Sequence, residues 1–338
     1  PTRNLVSWTS LISGYTNQGK PKEALTCYER MQSEGIYPNI VTLLSVLKAC
    51  GLLRESDKGK QIHEEIRCKG LFRGEVMLGT ALLDMYVKCG MLVKAKSLFD
   101  EILFPDLIGW NMLISGYVLL GLNEMALISL ECMKNQGLFP NDTTFIYLLR
   151  ACSHKGSITI GKQIHSELAG NHMLPANITL CNGLLDMYSK CGELECALSV
   201  LEEIPNRTLI SWNILISGYL QEGRGEEALE CFKLMQVEGL VPNVITYICL
   251  LKASALMGTI WKGSEIHDDI NKKGLLKVNL ALGTALVDMY TKCGDMPSAE
   301  KALFELPVRS VVSWSAVIAG YSEQGKVHEA VRCFEQMR

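Results

Sequence analysis

The sequence predicts an all-α fold in which helix–turn–helix repeats stack into a right-handed α-solenoid superhelix. Three landmarks recur in one register, each at a spacing of 102 residues. They are a tryptophan, a Gly-Tyr pair and a Pro-Asn pair, first found at Trp8, Gly14-Tyr15 and Pro38-Asn39. A Met-Tyr pair and a Lys-Cys-Gly segment also recur, first at 85–90. A fixed period is typical of solenoids, in which each repeat buries its apolar faces against its neighbours.

The first motif shows why each repeat is expected to be a helical hairpin. Its first half has apolar residues at i, i+3, i+4 and i+7, on one helical face: Trp8, Leu11, Ile12 and Tyr15. Its second half repeats that spacing with Ala24, Cys27, Tyr28 and Met31. Gly19 separates the two halves, and Pro38 ends the second helix. One hairpin cannot bury both faces alone, so the stacked hairpins are predicted to share a continuous core.

Each unit of 102 residues divides into motifs of 35, 36 and 31 residues. The motif boundaries are 5–39, 40–75, 76–106, 107–141, 142–177, 178–208, 209–243, 244–279 and 280–310, with a partial tenth motif at 311–338. No linker interrupts them, so residues 1–338 are expected to form a single solenoid. The chain begins at Pro1 without methionine and stops within a motif at Arg338. We therefore expect a targeting peptide or an appended domain to lie outside it.

Composition favours a well-packed chain without membrane association. Apolar residues make up 48%, charged residues 20%, and the formal net charge is −3. No apolar run approaches the roughly 18 residues that a membrane span needs. The 13 cysteines contain no Cys-x-x-Cys, and the position held by Cys50 and Cys152 is Ser254 in the third unit. We expect the cysteines to be small buried apolar residues in a reducing compartment.

Two segments bear a partial likeness to catalytic or ligand-binding motifs. Gly156 to Lys162 has the spacing of a phosphate-binding loop, but the next residue is Gln163, where a Ser or Thr is required. A recurring histidine, first at His63, lies two residues before an acidic residue, which is half of a zinc deaminase signature. The Pro-Cys-x-x-Cys half is missing. We therefore expect these histidines to pack or to form inter-repeat hydrogen bonds, and we predict no catalysis, metal or cofactor.

A recurring polar stripe remains on the first helix of the 31-residue motifs. Thr80, Asp84 and Lys88 are four residues apart and so lie on one face. The 36-residue motifs add basic residues on their own first helices: Lys48, Arg150 and Lys252. Two interpretations stay open here. The stripe is either a solvated face with Asp–Lys pairs at i,i+4 or one side of an interaction groove with segregated charge.

Several segments resemble pentatricopeptide repeats. They include Leu-Val-Ser-Trp-Thr-Ser-Leu-Ile-Ser-Gly-Tyr at 5–15, Glu-Ala-Leu at 23–25 and Gly-Ile-Tyr-Pro-Asn at 35–39. The alternation of 35-, 36- and 31-residue motifs resembles the long-and-short (PLS) subclass of land-plant organelles. So do Leu-Lys-Ala-Cys at 47–50, Gly-Lys-Gln-Ile-His at 59–63 and Leu-Leu-Asp-Met-Tyr-Val-Lys-Cys-Gly at 82–90. The resemblance implies single-stranded RNA binding in a mitochondrion or chloroplast.

The family assigns roles by position in the motif. The fifth and last residues hydrogen-bond the Watson–Crick edge of one base, the second residue sandwiches that base, and a lysine at position 13 contacts phosphate. The implied reading pairs are Thr9 with Asn39, Thr80 with Asp106, Asn111 with Asn141, Asn182 with Thr208, Asn213 with Asn243, and Thr284 with Ser310, and Ser315 is the fifth residue of the partial motif. The implied sandwiching residues are Val6, Ile108, Ile210 and Val312, and the phosphate lysines are Lys88, Lys190 and Lys292.

In the family the Thr–Asn pair favours adenine, the Thr–Asp pair guanine, and the two Asn–Asn pairs pyrimidines, cytosine somewhat more. Asn182 with Thr208 is expected to read a pyrimidine, and Thr284 with Ser310 a purine. The 36-residue motifs depart from this code because their fifth residues are Leu44, Ile146 and Ile248. We expect them to read no base, and either to give slack or to face small organellar editing cofactor proteins. The implied target is 5′-A-n-G-Y-n-Y-Y-n-R-3′.

The resemblance therefore favours a sequence-specific RNA-binding segment, most simply the target-recognition part of an organellar C-to-U editing factor. In that case a deaminase-like domain lies outside the segment or acts in trans, and the segment itself is not an enzyme. The alternative is a protein-binding helical scaffold without RNA readout, since solenoids of helical hairpins also bind peptides.

Overall fold

The protein is helical throughout the part that the computed structural model describes, which is residues 4–337 except 72–75, 102–105, 154–156, 172, 175 and 278. These residues form 20 α-helices and one short 3₁₀ helix, Leu275–Lys277, and they contain no strand. The predicted all-α fold is confirmed. No described helix combines the length and apolarity needed to cross a membrane.

The helices come in hairpins along the chain. The first ten are α1 Leu5–Asn17, α2 Pro21–Ser33, α3 Ile40–Leu53, α4 Ser56–Cys68, α5 Val76–Lys88, α6 Leu92–Glu101, α7 Leu107–Leu119, α8 Asn123–Asn135, α9 Asp142–Cys152 and α10 Ile158–Gly170. The next ten are α11 Ile178–Cys191, α12 Leu194–Glu203, α13 Leu209–Gln221, α14 Gly225–Val237, α15 Val244–Met257, α16 Ile260–Lys272, α17 Leu280–Lys292, α18 Met296–Glu305, α19 Val311–Glu323 and α20 Val327–Gln336.

The chain divides into two compact units, Pro1–Ala151 and Cys152–Arg338. Within each unit the odd-numbered helices are the first helices of the hairpins and the even-numbered helices are the second. In the first unit α1 packs against both α2 and α3, and in the second unit α11 packs against both α12 and α13. Consecutive first helices therefore lie side by side and form one layer of each unit.

Polar caps explain where the first helices begin. Asn39, Asp106, Thr208 and Asn243 each precede a first helix, and each side-chain oxygen accepts a hydrogen bond from the backbone N–H three residues later. Such a cap satisfies one of the four N–H groups that a helix start leaves without an intrahelical partner. The residue that ends one motif in the sequence is thus the residue that starts the next first helix.

The recurring tryptophans lock the two helices of a hairpin together. Trp8, Trp110 and Trp212 are between 3% and 4% exposed. The indole N–H of Trp212 donates to Glu238 Oε2 at 2.8 Å, and that of Trp110 to Gln136 Oε1 at 3.1 Å. Each acceptor lies just past the end of the second helix. A buried indole usually needs such a partner, so the period of 102 residues marks one repeated contact.

The glycine of the recurring Gly-Tyr pair lets neighbouring first helices approach closely. A Cβ on Gly218 in α13 would lie 2.7 Å from Ser189 Cβ in α11, and one on Gly116 in α7 would lie 2.9 Å from Val87 Cγ1 in α5. Gly14 holds the same motif position in α1, but nothing lies within 4 Å of its Cβ position.

These glycines give a paired prediction for stability. Gly218→Ala is expected to lower the free energy of unfolding by about 1–3 kcal/mol, because the added methyl group overlaps the rigid Ser189 Cβ. Gly14→Ala is expected to raise it by about 0.5–1 kcal/mol, because alanine is the better helix former and no atom obstructs it. Urea unfolding followed by circular dichroism measures both changes. Equal changes in the free energy of unfolding for the two variants would show that close approach of neighbouring first helices does not explain why this glycine recurs.

The recurring histidines bind tyrosines of the following hairpin. His63 Nδ1 lies 2.8 Å from the Tyr86 hydroxyl, and the equivalent pairs are His165 with Tyr188 at 2.9 Å and His267 with Tyr290 at 3.1 Å. Burial lowers the pKa of His63 and of His165. The predicted inter-repeat hydrogen bond is confirmed. Among the described residues no group of three His, Cys, Asp or Glu side chains could hold a metal ion.

The segment with phosphate-loop spacing is largely helical. Gly161 and Lys162 lie inside α10, and a Cβ on Gly161 would lie 2.7 Å from Met187 Sδ. Lys162 forms an ion pair with Glu193 at 3.4 Å. This glycine therefore packs against α11, while Gly156 falls outside the described residues.

The cysteines follow the prediction only in part. All 13 are free thiols, and burial raises the pKa of Cys50 and of Cys152 to about 12. Cys68 and Cys132, however, are exposed. The prediction of a buried role is wrong for these two, because both lie on second helices, α4 and α8, at positions that do not face the core.

Candidate nucleic-acid interface

The fifth and last residues of a motif come from different helices and meet where two first helices lie side by side. The fifth residue is one turn into its first helix, and the last residue caps the next first helix. In the second 35-residue motif, Asn111 Nδ2 donates to Asn141 Oδ1 at 3.2 Å. In the third, Asn213 Nδ2 donates to Asn243 Oδ1 at 3.4 Å. Each pair is 30 residues apart in sequence, so only the stacking of the hairpins brings them together.

In the first motif a hydroxyl group bridges the pair. Thr9 Oγ1 lies 2.8 Å from Thr42 Oγ1, which in turn donates to Asn39 Oδ1 at 2.8 Å. Thr42 is the third residue of the following motif and is fully buried. Thr9 and Asn39 thus share one hydrogen-bonded network at the surface.

A serine makes the equivalent bridge in the second 31-residue motif. The Ser211 hydroxyl donates to Asn182 Oδ1 at 2.8 Å and lies 3.0 Å from Thr208 Oγ1. Its backbone N–H donates to Thr208 Oγ1 at 3.3 Å. Asn182 and Thr208 are therefore also held next to one another.

Thr80 and Asp106 line one open groove of about 350 Å³. Asp106 Oδ1 accepts the Gly109 backbone N–H at 2.8 Å, which leaves its second carboxylate oxygen available to other donors. Apolar side chains form the rest of the groove, among them Leu44 and Ile108. The site therefore combines a polar edge with apolar walls, which suits a planar heteroaromatic ring.

The remaining predicted residues are less closely joined. The Thr284 hydroxyl donates to the carbonyl oxygen of Leu280 in its own helix at 3.0 Å. Ser310 caps α19 by accepting the Ser313 backbone N–H at 3.1 Å. Ser315 is exposed on α19. The structure thus joins five residue pairs by hydrogen bonds or a common groove, whereas Thr284 and Ser310 make separate contacts.

The predicted sandwiching residues are apolar side chains that face solvent. Val6, Ile108, Ile210 and Val312 are 70%, 57%, 63% and 64% exposed. Exposed branched side chains on a helix contribute little to the stability of the fold. They become buried if a flat ring inserts between them.

Sequence reasoning missed three further members of this row. Val41, Met77 and Ile245 are the second residues of other motifs, and they are 54%, 63% and 58% exposed. The signal was present, because every motif has a second position and motif numbering alone points to it. The exposed apolar row therefore includes three of the 31- and 36-residue motifs, whereas the second residues of the other three are Thr143, Thr179 and Ala281.

The predicted phosphate lysines are exposed and form ion pairs with acidic residues of their own helices. Lys88 Nζ lies 2.6 Å from Asp84 Oδ2, and the same pairing joins Lys190 to Asp186 at 2.6 Å and Lys292 to Asp288 at 2.9 Å. The predicted Asp–Lys pairs at i,i+4 are confirmed. Exposed pairs of this kind contribute little to stability, so the lysines can exchange a carboxylate for another anion at small cost.

One groove of about 580 Å³ contains all four kinds of predicted residue. It is lined by Lys88 from α5, Ile108 and Asn111 from α7, Asn141 at the end of the same motif as Asn111, and Arg150 from α9. The groove thus presents amide groups, an aliphatic wall and two cations within the first unit. This arrangement can bind an anion, a flat ring and the edge of that ring at the same time.

Comparison with protein families gives matches along the chain. The PPR repeat family model matches residues 3–51, 105–154 and 207–255. A second model, the PPR repeat, matches residues 80–103, 179–208 and 312–338. Together they cover more than half of the chain.

Among known proteins, a chloroplastic pentatricopeptide repeat-containing protein of Arabidopsis thaliana is 36% identical over 338 residues, which is 100% of this chain and 41% of that protein. Another chloroplastic one is 33% identical over 99% of this chain and 54% of its own length. A mitochondrial one is 35% identical over 100% of this chain and 44% of its own length. The chain spans about half the length of these relatives.

Among solved structures, the pentatricopeptide repeat protein PPR10 from maize superposes with a TM-score of 0.73 at 21% identity. The match covers 99% of this chain and 54% of that one. A structure of PPR10 in complex with an 18-nt psaJ RNA element superposes with a TM-score of 0.71 at 20% identity, over 98% of this chain and 55% of that one. These matches confirm the predicted solenoid fold class.

Proposed function

Since this chain belongs to the pentatricopeptide repeat family, we propose that it binds single-stranded RNA and reads one base with each 35- and 31-residue motif. The observation that carries this proposal is the meeting of fifth and last residues 30 positions apart, as in Asn111 with Asn141. Exposed Asn141 and the largely buried Asn111, which is 9% exposed, line the groove together with the exposed Ile108 and with Lys88. These groups match the edge, face and phosphate of a splayed nucleotide. The proposed target is 5′-A-n-G-Y-n-Y-Y-n-R-3′.

The RNA complex of PPR10 supports the same function, because that protein has the same fold. The names of the relatives support a location in a chloroplast or mitochondrion. The alternation of motif lengths supports the PLS subclass and a role in target recognition for a C-to-U editing factor. In that role the apolar fifth residues Leu44, Ile146 and Ile248 leave the 36-residue motifs free to contact an editing cofactor protein.

One observation favours a second candidate, a protein-binding scaffold. The third-last residue of each complete 35-residue motif is apolar and strongly exposed: Tyr37 at 79%, Phe139 at 85% and Val241 at 71%. Exposed aromatic and aliphatic side chains that recur in register are typical of protein contacts. This candidate requires no RNA affinity, so an RNA titration separates the two.

The salt dependence of RNA binding tests the proposed contacts. If about six phosphates are neutralised, the log–log slope of affinity against salt is expected near −4, at about 0.7 per phosphate of single-stranded RNA. Replacing Lys88, Lys190 and Lys292 by glutamine is expected to bring the slope to about −2. Fluorescence anisotropy with labelled RNA of the proposed sequence at several salt concentrations measures both slopes.

Three lysines on second helices give a control with the same change of charge. Lys58, Lys162 and Lys301 lie on α4, α10 and α18. Their replacement by glutamine is expected to leave the slope unchanged, because they are remote from the first-helix layer. If the unmodified chain binds no RNA at low salt, the proposed function is wrong and the scaffold candidate takes its place.

A further inference from the structure

A buried hydroxyl group lies beneath most of the reading pairs. The third residue of the following motif is Thr or Ser after five of the six complete pairs: Thr42, Thr144, Ser211, Thr246 and Ser313. All five side chains are 0% exposed. The sixth pair, Thr80 with Asp106, is followed by Gly109. A hydroxyl that no base can touch is therefore placed against the groups that are proposed to touch the base.

At the Asn111–Asn141 pair this hydroxyl determines how both amides are oriented. The Thr144 backbone N–H donates to Asn141 Oδ1 at 3.0 Å, which turns that oxygen toward the helix. The Thr144 hydroxyl lies 2.6 Å from Asn111 Oδ1 and 2.9 Å from Asn141 Oδ1. Asn141 Oδ1 already accepts that backbone N–H and, at 3.2 Å, Asn111 Nδ2, so we assign the single hydroxyl proton to the nearer Asn111 Oδ1. Both amide oxygens are thereby engaged inside the protein.

The same arrangement recurs in the second unit. The Thr246 hydroxyl lies 2.9 Å from Asn213 Oδ1 and 3.0 Å from Asn243 Oδ1. Asn243 Oδ1 already accepts the Thr246 backbone N–H at 3.0 Å and Asn213 Nδ2 at 3.4 Å, so we assign the single hydroxyl proton to Asn213 Oδ1. The two amides are therefore oriented in the same way at both Asn–Asn pairs.

What remains for a ligand is a set of N–H donors. A side-chain amide has two N–H groups and one oxygen. Asn111 donates one of its two N–H groups to Asn141, and the Asn141 amide donates to no group in the described part of the chain. Cytosine has two adjacent acceptors on its Watson–Crick edge, N3 and O2, whereas uracil has a donor, N3–H, between its two oxygens. Adjacent donors on the protein therefore fit cytosine and oppose the uracil N3–H.

We propose that Thr144 and Thr246 are positioning residues that make the Asn–Asn pairs select cytosine over uracil. The inference rests on the proposed RNA-binding function and narrows the fourth and seventh bases of the target from a pyrimidine to cytosine. Without the hydroxyl, Asn111 Oδ1 loses its internal donor, and the amide is free to turn and accept the uracil N3–H. The hydroxyl thus supplies discrimination without touching the base.

The test is Thr144→Val, which keeps the branched shape and the backbone cap but removes the hydroxyl. Two RNAs that differ only in C or U at the fourth nucleotide are titrated by fluorescence anisotropy. The unmodified chain is expected to favour C, and Thr144→Val is expected to lower the C-to-U affinity ratio by about tenfold, toward equal binding. Thr144→Ser restores the hydroxyl and is expected to restore the ratio. Thr144→Ala provides a second hydroxyl-free variant if valine disturbs the start of α9.

Ser129 gives a matched control. Its buried hydroxyl donates to the Met125 carbonyl oxygen in α8 at 2.7 Å, away from the reading pairs. Ser129→Ala is expected to leave the C-to-U ratio unchanged. A folded Thr144→Val or Thr144→Ala variant that keeps the full preference for C would overturn the inference while leaving RNA binding intact. Failure of the unmodified chain to bind either RNA would instead overturn the proposed function, and with it this inference.

Discussion

Truncating the exposed aliphatic row to alanine is expected to weaken RNA binding by about two orders of magnitude while leaving the fold intact. The variant replaces Val6, Ile108, Ile210 and Val312 together. In the proposed complex each base lies between two such side chains, and each truncation removes apolar area that the base would bury. At about 0.5–1 kcal/mol for each side chain, four truncations amount to about 2–4 kcal/mol.

The stability of the protein is not expected to fall, because these side chains are between 57% and 70% exposed. Alanine is also the better helix former, which offsets any small loss of packing. The measurement pairs an anisotropy titration with a thermal melt of the same sample. A large loss of melting temperature would show that the row belongs to the core.

Four valines on second helices serve as the control set. Val93, Val237, Val327 and Val331 are exposed by 50% or more and lie on α6, α14 and α20. Their joint replacement by alanine removes similar apolar area from the other helix layer, so RNA binding is expected to stay unchanged. Equal losses from both sets would contradict the assignment of the first-helix layer as the RNA-binding face.

The all-helical fold followed directly from periodicity in the sequence. Trp8, Trp110 and Trp212 recur because each indole donates to a residue that follows the second helix of its own hairpin. His63 recurs because it binds Tyr86 of the next hairpin. Each of these contacts is made once in every 102-residue repeat, so the residue that makes it recurs at the same spacing in the sequence. Apolar spacing alone therefore predicted helices on both sides of Gly19.

The reading pairs could not be predicted from periodicity, because periodicity does not show that two residues 30 positions apart lie in contact. Their assignment depended on the resemblance to a known family, and the structure adds the contacts between them. No sequence pattern distinguishes the Thr144 hydroxyl from any other buried threonine. Its role becomes visible only when Asn111 and Asn141 are seen to share it. The exposure of Cys68 and Cys132 was not predicted, because composition does not show which face of a helix a residue lies on.

Substituting Thr80→Asn is expected to convert a guanine-reading motif into a uracil-reading one. The second oxygen of Asp106 can accept from guanine N1–H or from uracil N3–H, since both are donors. The introduced amide is larger than a threonine hydroxyl and narrows a groove of about 350 Å³, which disfavours a purine. Its N–H also supplies a donor to a uracil carbonyl oxygen. No hydroxyl at Gly109 restrains this amide.

The expected change in the G-to-U affinity ratio is large, because the unmodified chain prefers G and the variant prefers U. One well-placed pair of hydrogen bonds to a base edge is worth about 1–3 kcal/mol of discrimination. The G-to-U affinity ratio is therefore expected to move by about two orders of magnitude between the unmodified chain and the variant. Thr284→Asn makes the same chemical change in the third 31-residue motif. It is expected to alter the preference at the ninth base and to leave the preference at the third base unaffected.

The most direct measurement of one-base-per-motif reading is a four-way titration of the unmodified chain and Thr80→Asn against two RNAs. The RNAs have the proposed sequence and differ only in G or U at the third nucleotide. The expected result is tight binding of the G RNA by the unmodified chain and of the U RNA by the variant, with weak binding in the two crossed combinations. The same preference in both proteins, or no binding of either RNA at low salt, would contradict the assignment of Thr80 and Asp106 as the pair that reads this base.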